Sequence, residues 1–431
     1  MFTPKTTSNL RSLKWTLTIV LFCAYSIISI NKSWNDDFRA YYQAGQSILS
    51  RANIYDPNVV EGGFLYSPFF ALLMFPLSIV SQPVAATFWY IGNVVALIFS
   101  IAIALYLNEG ATQPIFGWIK RNLWLSEIDR NLERVFIFVL IISARFWLNS
   151  IEHGQVNLLV WGMVLAAIYF LRSDRTTIGS AILSMSIAIK ILPLLFLFYF
   201  FVRKRYGIVA WSLGWLAIFT LVPALILGWH QNLELLIAWY QKILGPNFEH
   251  GAIGVGDSNQ SFPAMLIRFL SNTPANEETG SSVNFLSLAA PTISVLTLFL
   301  PFVFLAVIAR IAGFQEKKTT QRENLELSIV FLSAVLMPVL AWKAYFVASI
   351  MGYTTIIYIV MKTRYAVSHH LTVTLMIISF ILHTLTADGI WGWKIAHMFQ
   401  SYSCVTFAML FLYAALIMML IRQRTETVTA A

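Results

Sequence analysis

Charged residues and cysteines are scarce in this sequence, and each scarcity excludes a class of protein. Asp, Glu, Lys and Arg supply only 11% of the 431 residues, whereas 58% are hydrophobic. Soluble proteins carry roughly 25% charged residues, so this chain is not an ordinary soluble protein. Its long apolar runs predict an all-α polytopic membrane protein instead. Cys23 and Cys404 both lie inside apolar runs, which argues against a disulfide framework and a thiol metal site.

The positive net charge of +9 has a membrane explanation. Lys and Arg collect in the cytoplasmic loops of membrane proteins, so we expect membrane lipids and no nucleic acid as partners. No His, Asp or Glu spacing matches a metal site, and no glycine-rich phosphate loop or serine triad is present, so we expect neither a metal nor a cofactor. The basic segment 1–14 precedes an apolar run without a clear cleavage site, which predicts a retained first helix rather than a signal peptide.

The apolar runs predict roughly 10–12 membrane crossings within one integral membrane domain, residues 1–431. A crossing needs about 20 apolar residues, or fewer where protein shields the helix. The candidate runs are 15–30, 67–81, 84–107, 133–148, 157–171, 178–201, 207–228, 285–312, 326–341, 346–361, 370–386 and 398–421.

The basic clusters between these runs predict which connections face outward. If all of them are cytoplasmic, the large extracytoplasmic loops are 31–66 and 229–284. This topology requires 67–107 to make an odd number of crossings, and 178–201 to enter and return as two arms that meet near Lys190. Both outer loops contain amphipathic stretches, "FRAYYQAGQSILS" and "NLELLIAWYQKIL", which predict helices lying in the membrane interface.

Two adjacent carboxylates, Asp36 and Asp37, follow the first apolar run. Either residue is suited to cap a helix that begins near Phe38. The functional alternative is a general base that takes a proton from a sugar hydroxyl. The segment 149–157, "NSIEHGQVN", is either an interfacial turn or a set of hydrogen-bonding groups for sugar hydroxyls.

Lys190 is the least ordinary charged residue, because a lysine deep in an apolar run is costly without an anionic partner. A phosphate is a natural partner, and a structural ion pair is the alternative. The segment 256–269 combines glycine and amides with Arg268, and is either a capped turn or a sugar and phosphate site. In "AWKAYF", 341–346, Lys343 is either part of an interfacial aromatic anchor or a second phosphate contact.

Several segments in this order resemble one family. They are an aspartate before "FRAYYQAG", then "IYDP", "FLYSPFFALLMFPL", "GQVNLLVW", "AIKILPLLFLFYF" and "NQSFPAMLIR". Together they resemble the family 87 glycosyltransferases, which are α-mannosyltransferases with a GT-C fold that use polyprenyl-phosphate-mannose. The resemblance covers about residues 15–350.

The resemblance implies a role for individual residues. It places the catalytic aspartate at Asp37 and not at Asp36, the donor-phosphate contact at Lys190, with Arg268 and Lys343 as further candidates, and the sugar or acceptor contacts at Tyr66, Gln155, Asn157, Asn259 and Gln260. Beside these matches we predict Asp36, Tyr42 and His153 as further sugar or acceptor contacts. The family's Gly-Gln-x-Asn falls on 154–157 and its Asn-Gln-Ser on 259–261. Many members carry an acidic residue and a histidine after the late tryptophan, whereas this chain has "AWKAYF".

The implied activity is inverting transfer of one sugar, most simply mannose, from a polyprenyl-phosphate donor to a lipid-linked or glycan acceptor. The enzyme would lie in the cell membrane with its active site on the extracytoplasmic side. Other hypotheses are a ligase or polymerase of polyprenyl-linked glycans, a transporter or flippase, and a membrane protein without catalytic activity.

Overall fold

The computed structural model describes residues 25–32, 36–124, 129–245, 254–276, 279–313, 319–362 and 370–429, and most of these residues are helical. No β-strand occurs within these ranges. In chain order the α-helices are α1 (Asp37–Ser47), α2 (Pro68–Ser78), α3 (Gln82–Glu109), α4 (Ile115–Ile119), α5 (Arg130–Ile142), α6 (Ala144–Glu152), α7 (Asn157–Arg172), α8 (Thr176–Ile189), α9 (Leu195–Val202), α10 (Tyr206–Leu227), α11 (Trp229–Trp239), α12 (Phe262–Leu270), α13 (Ala290–Gly313), α14 (Thr320–Leu336), α15 (Ser349–Lys362), α16 (His370–Thr384), α17 (Asp388–Trp391), α18 (Trp393–Ser401) and α19 (Cys404–Thr429).

Shorter helical segments complete the described chain. Three are 3₁₀-helices, Ile48–Ser50, Leu192–Leu194 and Lys343–Ala348. Two are π-helical, Lys120–Trp124 and Tyr240–Leu244. Residues 25–32 are helical, and the rest of the first predicted crossing, 15–24, lies outside the described residues.

The predicted fold class, an all-α polytopic membrane protein, is confirmed. Among the described residues five helices are long and apolar enough to cross a membrane, the α5–α6 pair forms one bent candidate, and five apolar helices are shorter. The bend of 61° between α5 and α6 has a local cause at Ser143. Its hydroxyl donates to the Val139 carbonyl at 2.6 Å, and such a bond back to residue i−4 bends helices.

The run 178–201 forms the predicted pair of short arms. Helix α8 stops before Lys190, which is extended at φ −143° and ψ 124°. Pro193 follows at once, and proline in a continuing helix would remove a hydrogen bond and clash with the preceding turn. The far ends of both arms converge on Glu323, which pairs with Arg172 and with Arg205, each at 3.2 Å. The chain therefore enters and returns on the same side.

The run 67–107 forms two helices, of which only α3 is long and apolar enough to cross a membrane. Helix α2 lies along α1, and a Cβ at Gly45 would stand 2.8 Å from the backbone of Met74, so the two helices meet where only glycine fits. Helix α3 then spans the fold. Trp89 near its start donates to the Gly154 carbonyl at 2.6 Å, and the Leu107 carbonyl near its end accepts from Asn324 at 2.9 Å.

The opposite end of the fold from α1 is held by buried ion pairs. Glu326 is fully buried and pairs with Arg203 and with Arg322. Together with the pairs at Glu323 they bring the ends of α7, α9 and α14 together. We call this group of six residues, Arg172, Arg203, Arg205, Arg322, Glu323 and Glu326, the basal ion-pair cluster.

The two predicted outer-loop helices exist and lie in one layer. "FRAYYQAGQSILS" lies within α1 and the short helix after it, and "NLELLIAWYQKIL" lies within α11 and the π-helical turn after it. Trp239 donates to the Leu65 carbonyl at 3.3 Å, and Lys242 donates to the Tyr55 carbonyl at 3.2 Å. The second loop thus packs over the first.

Candidate active site

The predicted site residues that meet lie at the end of the fold opposite the basal ion-pair cluster. Five segments contribute: the start of α1, the turn before α2, the turn before α7, the break at Lys190 and the 3₁₀-helix Lys343–Ala348. We call the group of Asp37, Tyr41, Tyr66, Gln155, Asn157, Lys190 and Tyr345 the central cluster. Each segment presents a helix end or a break, where side chains can point into one space without a continuous helix blocking it.

Asp37 is the first residue of α1 and is partly buried. Burial, followed by the adjacent charge of Asp36, raises the pKa of its carboxyl, and a hydrogen bond from Gln155 opposes that rise. A carboxylate with a raised pKa is a better proton acceptor than an exposed one. Asp37 therefore has the properties of a general base that is held in place by an amide.

Asp36 has different partners from its neighbour. It holds the N-cap position of α1, yet its side chain makes no capping hydrogen bond, so the capping interpretation is wrong for this residue. Its carboxylate instead bonds the Nδ1 of His153. Burial opposes ionisation, but the hydrogen bond and charge of His153 outweigh it and the pKa of Asp36 is lowered. Asp36 is thus a paired carboxylate and a poor base.

Lys190 is bound by an amide and two aromatic rings. Its Nζ donates to Asn157 Oδ1 at 2.7 Å and lies 3.3 Å from the centre of the Tyr345 ring and 5.8 Å from that of Tyr66. Asn157 in turn donates to Gln155. A chain of hydrogen bonds therefore joins Lys190, Asn157, Gln155 and Asp37, and it links a cation to a base without a direct ion pair.

The structure brings Tyr41, rather than the predicted Tyr42, into the central cluster. Tyr41 and Tyr66 share a hydrogen bond of 2.8 Å between their hydroxyls. Tyr42 faces away and donates to the Val80 carbonyl at 2.9 Å, where it fastens α1 to the end of α2. Helical spacing could have indicated this, because residues four apart share a face and Tyr41 is four residues after Asp37.

Asn259 and Gln260 do not line the central cluster, contrary to the prediction of sugar contacts. Asn259 Nδ2 donates to the carbonyls of Gly254 and Val339, and its Oδ1 accepts from the amides of Ser261 and Ala341. Gln260 is fully buried and donates to two further carbonyls. The Asn259 amide fastens the loop 254–261 to the break after α14, and the Gln260 amide joins the same loop to Gln400 in α18.

Arg268 is also internal, which contradicts its predicted phosphate role. The residue is fully buried, and its guanidinium donates to Ser403 and to the carbonyls of Val255, Gly256 and Asn259. An arginine whose donors are taken up in this way has no face for a substrate.

Lys343 lies beside the central cluster rather than in it. The nearest anionic atom is Asp388 Oδ2, 3.9 Å from its Nζ. Two residues along the same 3₁₀-helix, Tyr345 contacts Lys190. In the described part of the chain, no group of three or more His, Cys, Asp or Glu side chains is arranged to hold a metal ion.

Comparison with known proteins identifies one family. The model of glycosyltransferase family 87 matches residues 64–341. The chain is 27% identical over 176 residues to a polyprenol-phosphate-mannose-dependent alpha-(1-2)-phosphatidylinositol mannoside mannosyltransferase of Mycobacterium tuberculosis, covering 40% of this chain and 38% of that protein.

Two further relatives are similar over comparable lengths. A polyprenol-phosphate-mannose-dependent alpha-(1-2)-phosphatidylinositol pentamannoside mannosyltransferase of Mycolicibacterium smegmatis is 22% identical over 48% of this chain and 44% of that protein. An alpha-(1->3)-arabinofuranosyltransferase of Corynebacterium glutamicum is 23% identical over 45% of this chain and 43% of that protein. The matched segments thus cover less than half of each relative.

Proposed function

This chain belongs to glycosyltransferase family 87, and from that premise we propose that it moves one mannose from a polyprenyl-phosphate-mannose donor to a lipid-linked or glycan acceptor. Two of the relatives are named for this donor, and their acceptors are named as phosphatidylinositol mannosides. The reaction would take place at the extracytoplasmic face of the cell membrane. A GT-C fold, with the loops 31–66 and 229–284 covering the site, is part of the same proposal.

The observation that carries the proposal is the connection of Asp37 to Lys190 through Gln155 and Asn157. Glycosyl transfer from a phosphate-linked sugar needs a base for the acceptor hydroxyl and positive charge near the departing phosphate. The central cluster supplies both groups on separate segments, and the amides between them fix their relative position.

In the proposed mechanism, Asp37 accepts the proton of the acceptor hydroxyl as that oxygen attacks the anomeric carbon. The bond from the anomeric carbon to the phosphate oxygen breaks on the opposite face, so the configuration inverts and a β-linked donor gives an α-linked product. The Lys190 ammonium stabilises the negative charge on the departing polyprenyl phosphate. Much of the acceleration then comes from orientation and from electrostatics that are already in place.

Asp37→Asn tests this assignment, with Asp36→Asn as the matched control. Purified full-length protein is supplied with radiolabelled polyprenyl-phosphate-mannose and membrane lipid extract, and labelled product is measured. We expect Asp37→Asn to lose transfer almost completely, because asparagine cannot accept the proton, whereas Asp36→Asn retains much of it. Near-normal turnover in Asp37→Asn would show that another group is the base.

The same preparation separates the competing functions. Net movement of labelled donor across a liposome without a covalent product would identify a transporter. Product mass distinguishes addition of one hexose from ligation of a preassembled glycan. Because one relative is named an arabinofuranosyltransferase, a product heavier by one pentose would show that the sugar is a pentose and not mannose.

A further inference from the structure

Two largely buried cations near the central cluster share a single loosely placed carboxylate. The side chains of Arg145 and Lys343 are only 11% and 13% exposed, whereas that of Asp388 is 44% exposed. The distances from Asp388 Oδ2 are 3.7 Å to Arg145 and 3.9 Å to Lys343, which are too long for hydrogen bonds. The one carboxylate within 4 Å of both cations is therefore out of hydrogen-bond reach of either.

Of the two cations, Lys343 has unused hydrogen-bonding capacity. Arg145 donates to the carbonyl of Thr386 at 2.6 Å and to its hydroxyl at 3.3 Å. The Lys343 ammonium makes no hydrogen bond to any described residue. An ammonium group has three donors, and leaving them unused in a largely buried position is costly. A phosphate would supply the missing oxygen atoms and charge.

An acid–imidazole pair lies near these cations. Asp257 Oδ2 is 2.9 Å from His397 Nδ1 and accepts a hydrogen bond of 3.0 Å from Asn276. The ring of Trp393 stacks on that of His397, with 4.4 Å between their centres, and Trp393 is 45% exposed. The loop that carries Asp257 is joined to the residues before Lys343, because the backbone N–H of Gln260 donates to the Ala341 carbonyl at 2.8 Å, and the Asp257 carboxylate acts electrostatically on Lys343. Hydroxyl-binding groups and an exposed aromatic face thus stand beside a cationic site.

This second group of residues adjoins the central cluster. Lys343 and Tyr345 belong to one 3₁₀-helix, and Tyr345 contacts Lys190. Helix α6 carries Arg145 at its start and ends at Glu152, next to the His153 that pairs with Asp36. A substrate that reaches Asp37 could therefore extend to Lys343.

We propose that Arg145, Lys343, Asp257 and His397, with Trp393, form a second substrate subsite that binds the phosphate and sugar of an anionic acceptor. This extends the proposed transferase function, on which the acceptor assignment rests. Lys343 bonds the phosphate, Arg145 adds charge, and the free Nε2 of His397 bonds a sugar hydroxyl. Lys343, Trp393 and His397 follow the segment 64–341 that matches the family model, whereas Arg145 and Asp257 lie within it.

Binding of radiolabelled glucose 1-phosphate to the full-length protein in detergent tests the subsite without requiring catalysis. We expect two saturable sites, because Lys190 can also bind a phosphate. Lys343→Met should remove one site and Lys190→Met the other, while Lys343→Arg and Asp37→Asn keep both. Thermal unfolding of each variant provides the check on folding.

Two results would overturn the subsite. Either Lys343→Met leaves both binding sites intact, or Lys190→Met abolishes all binding. His397→Gln adds an independent measurement. We expect this substitution to weaken binding of glucose 1-phosphate at the Lys343 site about tenfold, while binding of inorganic phosphate changes little. Equal loss for both ligands would contradict the sugar contact.

Steady-state kinetics distinguish whether the phosphate bound at Lys343 belongs to the acceptor or to the donor. In the transfer assay we expect Lys343→Met to raise KM for the acceptor about tenfold and to leave KM for polyprenyl-phosphate-mannose unchanged. A rise in the donor KM alone would assign the phosphate to the donor and overturn the acceptor subsite. If the wild-type protein transfers no sugar, the proposed function is wrong. The binding experiment still tests the subsite in that case, because it does not require catalysis.

Discussion

Replacing Tyr345 by leucine removes the aromatic face beneath the Lys190 ammonium, and we expect this change to weaken use of the phosphate-linked donor. The Nζ atom lies 3.3 Å from the ring centre, and Tyr345 is buried. A desolvated cation–π contact contributes about 2 kcal/mol. The bond from Lys190 to Asn157 remains in the variant, so this contact is the main loss. At about 1.4 kcal/mol per factor of ten, donor KM should rise about 30-fold.

Tyr345→Phe is the matched control, because it keeps the ring and loses only the hydroxyl. Steady-state kinetics with polyprenyl-phosphate-mannose should show a change of less than about threefold in that variant, since most of the contact is retained. A merely structural role for Tyr345 would lower kcat and thermal stability together in the leucine variant. The reasoning is refuted if Tyr345→Phe and Tyr345→Leu raise the donor KM equally, or if neither does.

Three further predictions concern the Asp37 carboxyl, the basal ion-pair cluster and Asn259. The charge of Asp36 raises the pKa of Asp37, and the hydrogen bond from Gln155 lowers it. Because the proposed base acts when deprotonated, the acid limb of the profile of kcat/KM against pH should move to lower pH in Asp36→Asn and to higher pH in Gln155→Leu. Shifts in the same direction would contradict this assignment. Glu326→Gln leaves two cations without their buried partner, and we expect a loss of about 3–5 kcal/mol of stability, measured by thermal or denaturant unfolding against Glu234→Gln on exposed α11. Asn259→Ala should lower the unfolding temperature and leave both KM values nearly unchanged in protein that remains folded, because its amide contacts only backbone; a selective rise in KM would restore its predicted sugar contact.

The helices were largely predictable because their causes are local. The run 157–171 corresponds to α7 within one residue, and the proline after Lys190 indicated where the chain had to break. Hydropathy alone could not show that α2 lies against α1. That arrangement depends on the close approach at Gly45, which joins segments far apart in sequence.

The site was predictable where residues come from helix ends, and less so elsewhere. The structure brings together Asp37, Gln155, Asn157 and Lys190. In the sequence, however, a buried polar side chain that binds a ligand looks the same as one that fastens a loop. Asn259 and Arg268 fasten a loop, because they donate to backbone carbonyls. The contact of Tyr345 with Lys190 has no local signal at all, because it joins residues 155 positions apart.

The pairing of Arg172 and Arg205 with the same carboxylate has a consequence for motion at the other end of the fold. Glu323 pairs with Arg172, which ends α7 just before the first arm, and with Arg205, which follows the second arm. Sliding one arm past the other would therefore break an ion pair. The break at Lys190 is the part of the hairpin farthest from these pairs, so we expect any displacement of the Lys190 ammonium relative to Asp37 to arise there.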